Sequence, residues 1–201
     1  MTTPYRVAPT GELVQTSLRC TWLGNRGCLH RAPGELVRPW QVARWITCVT
    51  EFKDRRHPLW GPGRYTPLFL YDEAVALAAG HRPCWECRRP DAARFLDAWE
   101  AAHGERPKVD PMDDALHASR RDGDAQRRHR RGWTDLPAGT FVLVDAGPAV
   151  ALADSLRPWS IDAGYGAPVA RPNRGDATVM TPSVTVEAIL AGYEPQIGGP
   201  S

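Results

Sequence analysis

Long apolar runs are missing from this chain of 201 residues. No stretch of about 18 apolar residues occurs, so no membrane-spanning helix and no membrane partner are expected. The opening Met1-Thr2-Thr3-Pro4-Tyr5 has neither the charged nor the apolar region of a secretory leader, which leads to the expectation of a soluble, cytoplasmic protein. Lysine is nearly absent: arginine outnumbers it 23 to 2, so the positive charge comes as planar guanidinium forks suited to carboxylate and phosphate. Cysteine is scarce, odd in number at five and irregular in spacing, which suits a metal site in a reducing compartment better than a disulfide framework. Also missing are a Walker loop, a dinucleotide fingerprint, a G-x-S-x-G elbow and any internal repeat. Nucleotide-driven and triad-hydrolase chemistry therefore find no support.

What the sequence does contain is one closely spaced cysteine pair, in Gly80-His81-Arg82-Pro83-Cys84-Trp85-Glu86-Cys87-Arg88-Arg89-Pro90-Asp91. Two cysteines separated by two residues turn both sulfurs inward around one tight loop, as half of a tetrahedral zinc site requires. Arg82, Arg88 and Arg89 favour thiolates by their charge and would also attract phosphate. Trp85, between the two cysteines, is either an exposed stacking surface for a base or a silent aromatic.

The run Leu68-Phe69-Leu70-Tyr71-Asp72-Glu73-Ala74-Val75-Ala76-Leu77-Ala78-Ala79-Gly80-His81-Arg82-Pro83-Cys84-Trp85-Glu86-Cys87-Arg88-Arg89-Pro90-Asp91, within residues 64–91, resembles the second half of the Ada-type metal-binding domain. In that family the helix, glycine, Arg-Pro-Cys and second cysteine supply the last two of four zinc cysteines. Here His81 stands where the family has an aromatic, and the tight upstream C-x-x-x-C pair is missing. The resemblance implies a zinc fold with DNA as partner, and recognition or processing of modified or damaged DNA. Carried over literally, it would make a zinc thiolate, Cys28 first, an alkyl acceptor from DNA phosphotriesters.

Upstream, Gly24-Asn25-Arg26-Gly27 signals a turn, and Cys28-Leu29-His30 follows it directly. Cys28 is either a metal ligand or a small buried hydrophobe, and His30 either a ligand or a surface residue. The β-branched and aromatic run 45–52 reads as a strand, on which Cys48 either completes the tetrahedron or packs in the core. The expected zinc ligands are Cys28, Cys48, Cys84 and Cys87, with His30 as the alternative to Cys48. Cys20 is left out, since it precedes the turn on an ordinary strand. The basic turn 53–57 is either a solvated loop or a phosphate contact.

A strand over 65–71 should lead into a helix from Asp72 that Gly80 stops, and a second helix should start at Pro90. In the next helix Asp113, His117 and Arg121 fall at fourfold spacing, either as an acid/base row with His117 as catalytic candidate or as a salt-bridged face. The segment to Arg131 holds Arg127, Arg128, Arg130 and Arg131, either a polyanion-binding cluster or a flexible loop. Beyond Trp133, a hairpin over 140–153, a strand near 177–180 and a last helix from 183 give a β-rich texture. The expected fold class is α+β: a small zinc-stabilised α/β module over 12–104, a helix and Arg-rich linker over 105–132, and a β-rich module with a C-terminal helix over 133–195. Two function classes follow. One is a zinc protein that binds nucleic acid; the other is an enzyme acting on a small molecule or nucleic acid, at an open metal site or in the C-terminal half.

Overall fold

The computed structural model describes residues 3–53, 60–61 and 63–199. Most of the basic turn at 53–57 lies outside them. In chain order the first part holds β1 (Tyr5–Val7), β2 (Leu13–Gln15), β3 (Trp22–Asn25), β4 (His30–Ala32), β5 (Glu35–Leu36), β6 (Ile46–Val49), β7 (Leu68–Leu70), α1 (Glu73–Ala78), β8 (Arg82–Pro83), α2 (Arg89–His103) and α3 (Val109–Arg120). There follow β9 (Arg121–Asp122), β10 (Ala125–Gln126), β11 (His129–Gly132), β12 (Phe141–Val144), β13 (Gly147–Ala151), β14 (Ser155–Ser160), β15 (Gly164–Tyr165), β16 (Val169–Ala170), β17 (Asp176–Val179) and α4 (Ser183–Leu190). The class is α+β, and none of the described helices is long and apolar enough to cross a membrane.

Strands β2-β1-β7-β3-β6-β8 form one sheet in that order, and β11-β17-β12-β13-β14-β15 form another, with β16 beside β14. In the first, β3 lies antiparallel between β7 and β6, while β6 and β8 pair in parallel with Ile46 opposite Arg82 and Thr47 opposite Pro83.

Helix α1 begins where the Asp72 side chain accepts the Val75 N–H at 2.8 Å, an ordinary N-cap. It ends in a Schellman turn: Gly80, at φ +84°, donates to the Leu77 carbonyl at 3.0 Å and His81 to that of Ala76 at 2.8 Å. A Cβ at Gly80 would run into the Arg120 side chain, so both its φ and its packing call for glycine. This turn delivers residues 81–84 directly to the edge of β6.

The expected division at 105–132 does not follow the packing. Met112 and Leu116 of α3 lie in one core with Leu77, Phe95, Leu96 and Trp99, and that core includes Ala188, Ile189 and Tyr193 from the C-terminal end. A second cluster joins Ala74, Val75 and Ala78 of α1 to Phe141, Val150, Trp159 and Met180. Two buried carboxylates complete the junction. Asp72 Oδ2 accepts Tyr165 Oη at 2.7 Å and the Gly198 N–H at 2.9 Å; Glu73 accepts Tyr193 Oη at 2.6 Å and the Gln196 N–H at 2.9 Å. The arginine segment is likewise structured: β9 pairs with β10, and β11 pairs with β17 over His129–Gly132.

Candidate metal centre

The parallel β6–β8 ladder sets residue 84 beside Thr47, whose carbonyl accepts the Cys84 N–H at 2.9 Å. One turn later the Arg88 N–H donates to the Cys84 carbonyl at 3.0 Å, which closes the loop around the pair and opens α2. The sulfurs of Cys48, Cys84 and Cys87 consequently lie within 4.8 Å of one another. A tetrahedral ion with metal–sulfur bonds of about 2.3 Å holds its sulfurs roughly 3.8 Å apart, so the three side chains fit a metal ion.

Electrostatics support the same role. Hydrogen bonds from Cys48 and Cys87, and then from the backbone N–H groups of Cys87 and Glu86, hold the Cys84 thiol well below its ordinary pKa. Its partner Cys48 is pushed up, because Cys84 and Cys87 draw on its proton and because it is buried. A hydrogen bond from Cys48 favours the Cys87 thiolate, but Cys84 and burial outweigh it and leave Cys87 raised. A thiol whose proton is readily lost, beside two further sulfurs, favours a cation that displaces the thiol protons. Tyr65 stands near enough that burial, and then charge on Cys48, Cys87 and Cys84, raise its phenol to about 12. Nothing in the sequence pattern marks Tyr65 as a neighbour of these cysteines.

Of the expected ligands, three come together and Cys28 does not. Gly24 and Asn25 continue β3 instead of forming the expected turn, and the bend at Gly27, at φ +98°, directs the Cys28 N–H onto Gln41 Oε1 at 2.7 Å, while the Cys28 thiol donates to the His30 carbonyl at 3.7 Å. Cys28 lines instead a shallow cleft of about 240 Å³ with Asn25, Gln41, Arg44 and Tyr65. His30, the alternative to Cys48, lies 2.6 Å from Thr66 Oγ1 through Nδ1 and meets Trp60 edge-on, away from the sulfur cluster. Cys20 stays outside it as well, hydrogen-bonded to the Leu18 carbonyl.

Two arginines expected to hold phosphate are buried and already paired. Arg82 donates to both oxygens of Asp113, at 2.7 and 2.8 Å. Arg88 donates to Glu73 at 2.6 Å and to Asp91 at 2.6 and 2.8 Å, with its guanidinium over Trp22 at 3.9 Å. They clamp the cysteine loop from either side and offer no free face to a polyanion. By contrast Arg89 is exposed, with its guanidinium 5.6 Å from the ring of Trp85, itself 41% exposed. Arg127, Arg128 and Arg130 are exposed too, while Arg131 is half-buried and bonded to the Asp135 carbonyl.

The Asp113–His117–Arg121 row is not an acid/base constellation, since Asp113 is committed to Arg82. His117 has Arg120 Nη2 at 2.6 Å from Nδ1 and Trp40 against its ring. Burial, and then the charge of Arg120, depress its pKa to about 4, so it is a neutral acceptor near pH 7. Among the described residues no carboxylate is hydrogen-bonded to its ring, and its partner is Arg120.

Compared with known proteins, the chain matches no family model, no curated protein and no solved structure.

Proposed function

We propose that this chain is a zinc protein that binds nucleic acid, DNA in particular. Cys48, Cys84 and Cys87 hold the ion, which ties β6, β8 and the start of α2 together. The donor set favours zinc, because thiolates on a tight C-x-x-C loop suit it and it needs no redox partner. The metal supplies rigidity to the loop that carries Trp85 and leads to Arg89 at the start of α2. An exposed indole beside a guanidinium, on a turn anchored at both ends by metal ligands, carries the nucleic-acid reading: bases stack on the first and phosphates meet the second. Arg127, Arg128 and Arg130 add exposed charge. Similarity of residues 64–91 to the Ada-type domain supports action on modified or damaged DNA. Alkyl transfer to Cys28 loses its physical basis, because no metal in the sulfur cluster would activate that thiol.

A salt titration on single- and double-stranded oligonucleotides tests the reading. Neutralising Arg127 and Arg128 together should lower the slope of log affinity against log salt by roughly two units if each holds one phosphate. Trp85→Ala should weaken single-strand binding by about 1–3 kcal/mol with little change in slope. No affinity for either form at about 50 mM salt, where phosphate contacts are strongest, would remove the nucleic-acid reading.

One observation favours a second reading. The described residues supply three ligands, and a metal held by three keeps a position for water or substrate, as in zinc enzymes. In the cobalt-substituted protein, visible bands that shift on adding azide would support an enzyme; unmoved bands would support a closed site.

A further inference from the structure

We propose that the cavity lined by Arg26 and Arg120 is a binding site for a small molecule bearing a phosphate or carboxylate group. The cavity measures about 310 Å³ and is lined by four guanidiniums, Arg26, Arg120, Arg121 and Arg128, against two carboxylates, Glu12 and Asp124. Both carboxylates have other partners: Glu12 accepts the Thr10 hydroxyl at 3.1 Å and Asp124 accepts Arg121 at 3.2 Å. Arg26 is 1% exposed, yet no carboxylate among the described residues pairs with it or with the buried Arg120.

The two guanidiniums are held in place by other means. Their central carbons lie 3.8 and 3.9 Å from the centre of the Trp45 ring, too close to share one face, so the indole is sandwiched between them. Arg26 donates to the Gly11 carbonyl at 2.9 Å and to His81 Nε2 at 3.2 Å, and Arg120 donates to the carbonyls of Gly80 and Ala43. These contacts leave Arg26 Nη2 and Arg120 Nε buried without a partner. Gln126 Oε1, on the same wall, is also unpartnered, although its Nε2 reaches three carbonyls. Buried polar atoms are normally satisfied, and unpaired buried cations are costly to fold. Burial, and then the charge of Arg120 and Arg121, push against the charged form of Arg26, a strain that an anion would relieve.

Four guanidiniums around one cavity, two of them without a carboxylate partner, favour an anionic group with several acceptor oxygens. At the small end of the roughly 300–1,000 Å³ range of ligand sites, the volume suits a metabolite rather than a polymer. The site is separate from Trp85 and Arg89 and shares only Arg128 with the proposed nucleic-acid surface.

Calorimetric titration of the metal-loaded, full-length protein with inorganic phosphate, succinate and adenosine 5′-monophosphate, at constant chloride ionic strength, tests this. Saturable binding of one equivalent of at least one probe is expected, and the probe preferred tells phosphate from carboxylate. Arg26→Met should abolish it, and the rim variant Arg121→Gln, which leaves the buried pair intact, should weaken it about tenfold, the size of one charge-assisted hydrogen bond. Arg121→Gln carries the test if Arg26→Met does not fold. Lack of saturable binding by all three probes up to about 10 mM would overturn the proposal. So would unchanged affinity in Arg121→Gln, or displacement of the bound probe by an oligonucleotide without terminal phosphates.

Discussion

Arg82, with Nε and Nη2 on the two oxygens of Asp113, illustrates how a buried charge pair acts at the scale of one residue. Removing one member leaves the other desolvated and unpaired, at a cost of about 3–5 kcal/mol, whereas replacing both by apolar residues is often nearly neutral. Asp113→Ala should therefore lower the unfolding free energy in urea by about that amount, and Arg82→Met with Asp113→Leu should recover most of it. A loss under about 1 kcal/mol in Asp113→Ala would show that the pair does not clamp the loop. The sequence marked Arg82 and Arg88 as cationic neighbours of the cysteines, which they are. It could not show that their partners come from Asp113 on another helix and Glu73 on the preceding one, because charge in a sequence carries no information about distant carboxylates. The same limit hid the Arg26–Trp45–Arg120 sandwich, whose members are far apart along the chain.

Among the elements, the turn between α1 and β8 does most to place the metal site. Gly80 combines a left-handed backbone with direct packing against Arg120, so Gly80→Ala should cost more than the roughly 1–2 kcal/mol of the conformation alone. Thermal unfolding of that variant measures it; an unchanged midpoint would mean that the turn relaxes freely and does not fix residues 81–84. The glycine stop, the helix start at Asp72 and the C-x-x-C loop were legible, since each rests on local chemistry. Which strand meets the loop was not. A parallel pairing such as β6 with β8 leaves no periodic trace, so the sequence kept His30 as an alternative to Cys48, and it favoured Cys28 for its residue type and its place after two glycines. Element ends shifted for a similar reason: the expected strand over 65–71 forms its ladder only at Leu68–Leu70, where β3 and β1 are alongside.

In the whole molecule, the helices from both ends of the chain share a core, and Asp72 and Glu73 are bonded to residues 165–198. Loss of the metal should then weaken the entire chain in a single transition. Limited proteolysis of Cys84→Ser should leave no protected fragment beginning near Trp133; such a fragment would restore the boundary at 105–132 that the change in composition suggests. Strands β9 to β17 do follow α3, but composition reports local preference and not which helix packs against which. In the proposed reading the sulfurs of Cys48, Cys84 and Cys87 bind zinc. Elemental analysis of protein purified without chelator, for the wild type, Cys48→Ser and Cys28→Ser, tests it most directly. About one zinc per chain in the wild type and in Cys28→Ser, with loss of metal in Cys48→Ser, is the predicted result; a wild type without metal, or a Cys28→Ser variant that loses it while Cys48→Ser keeps it, would contradict the account.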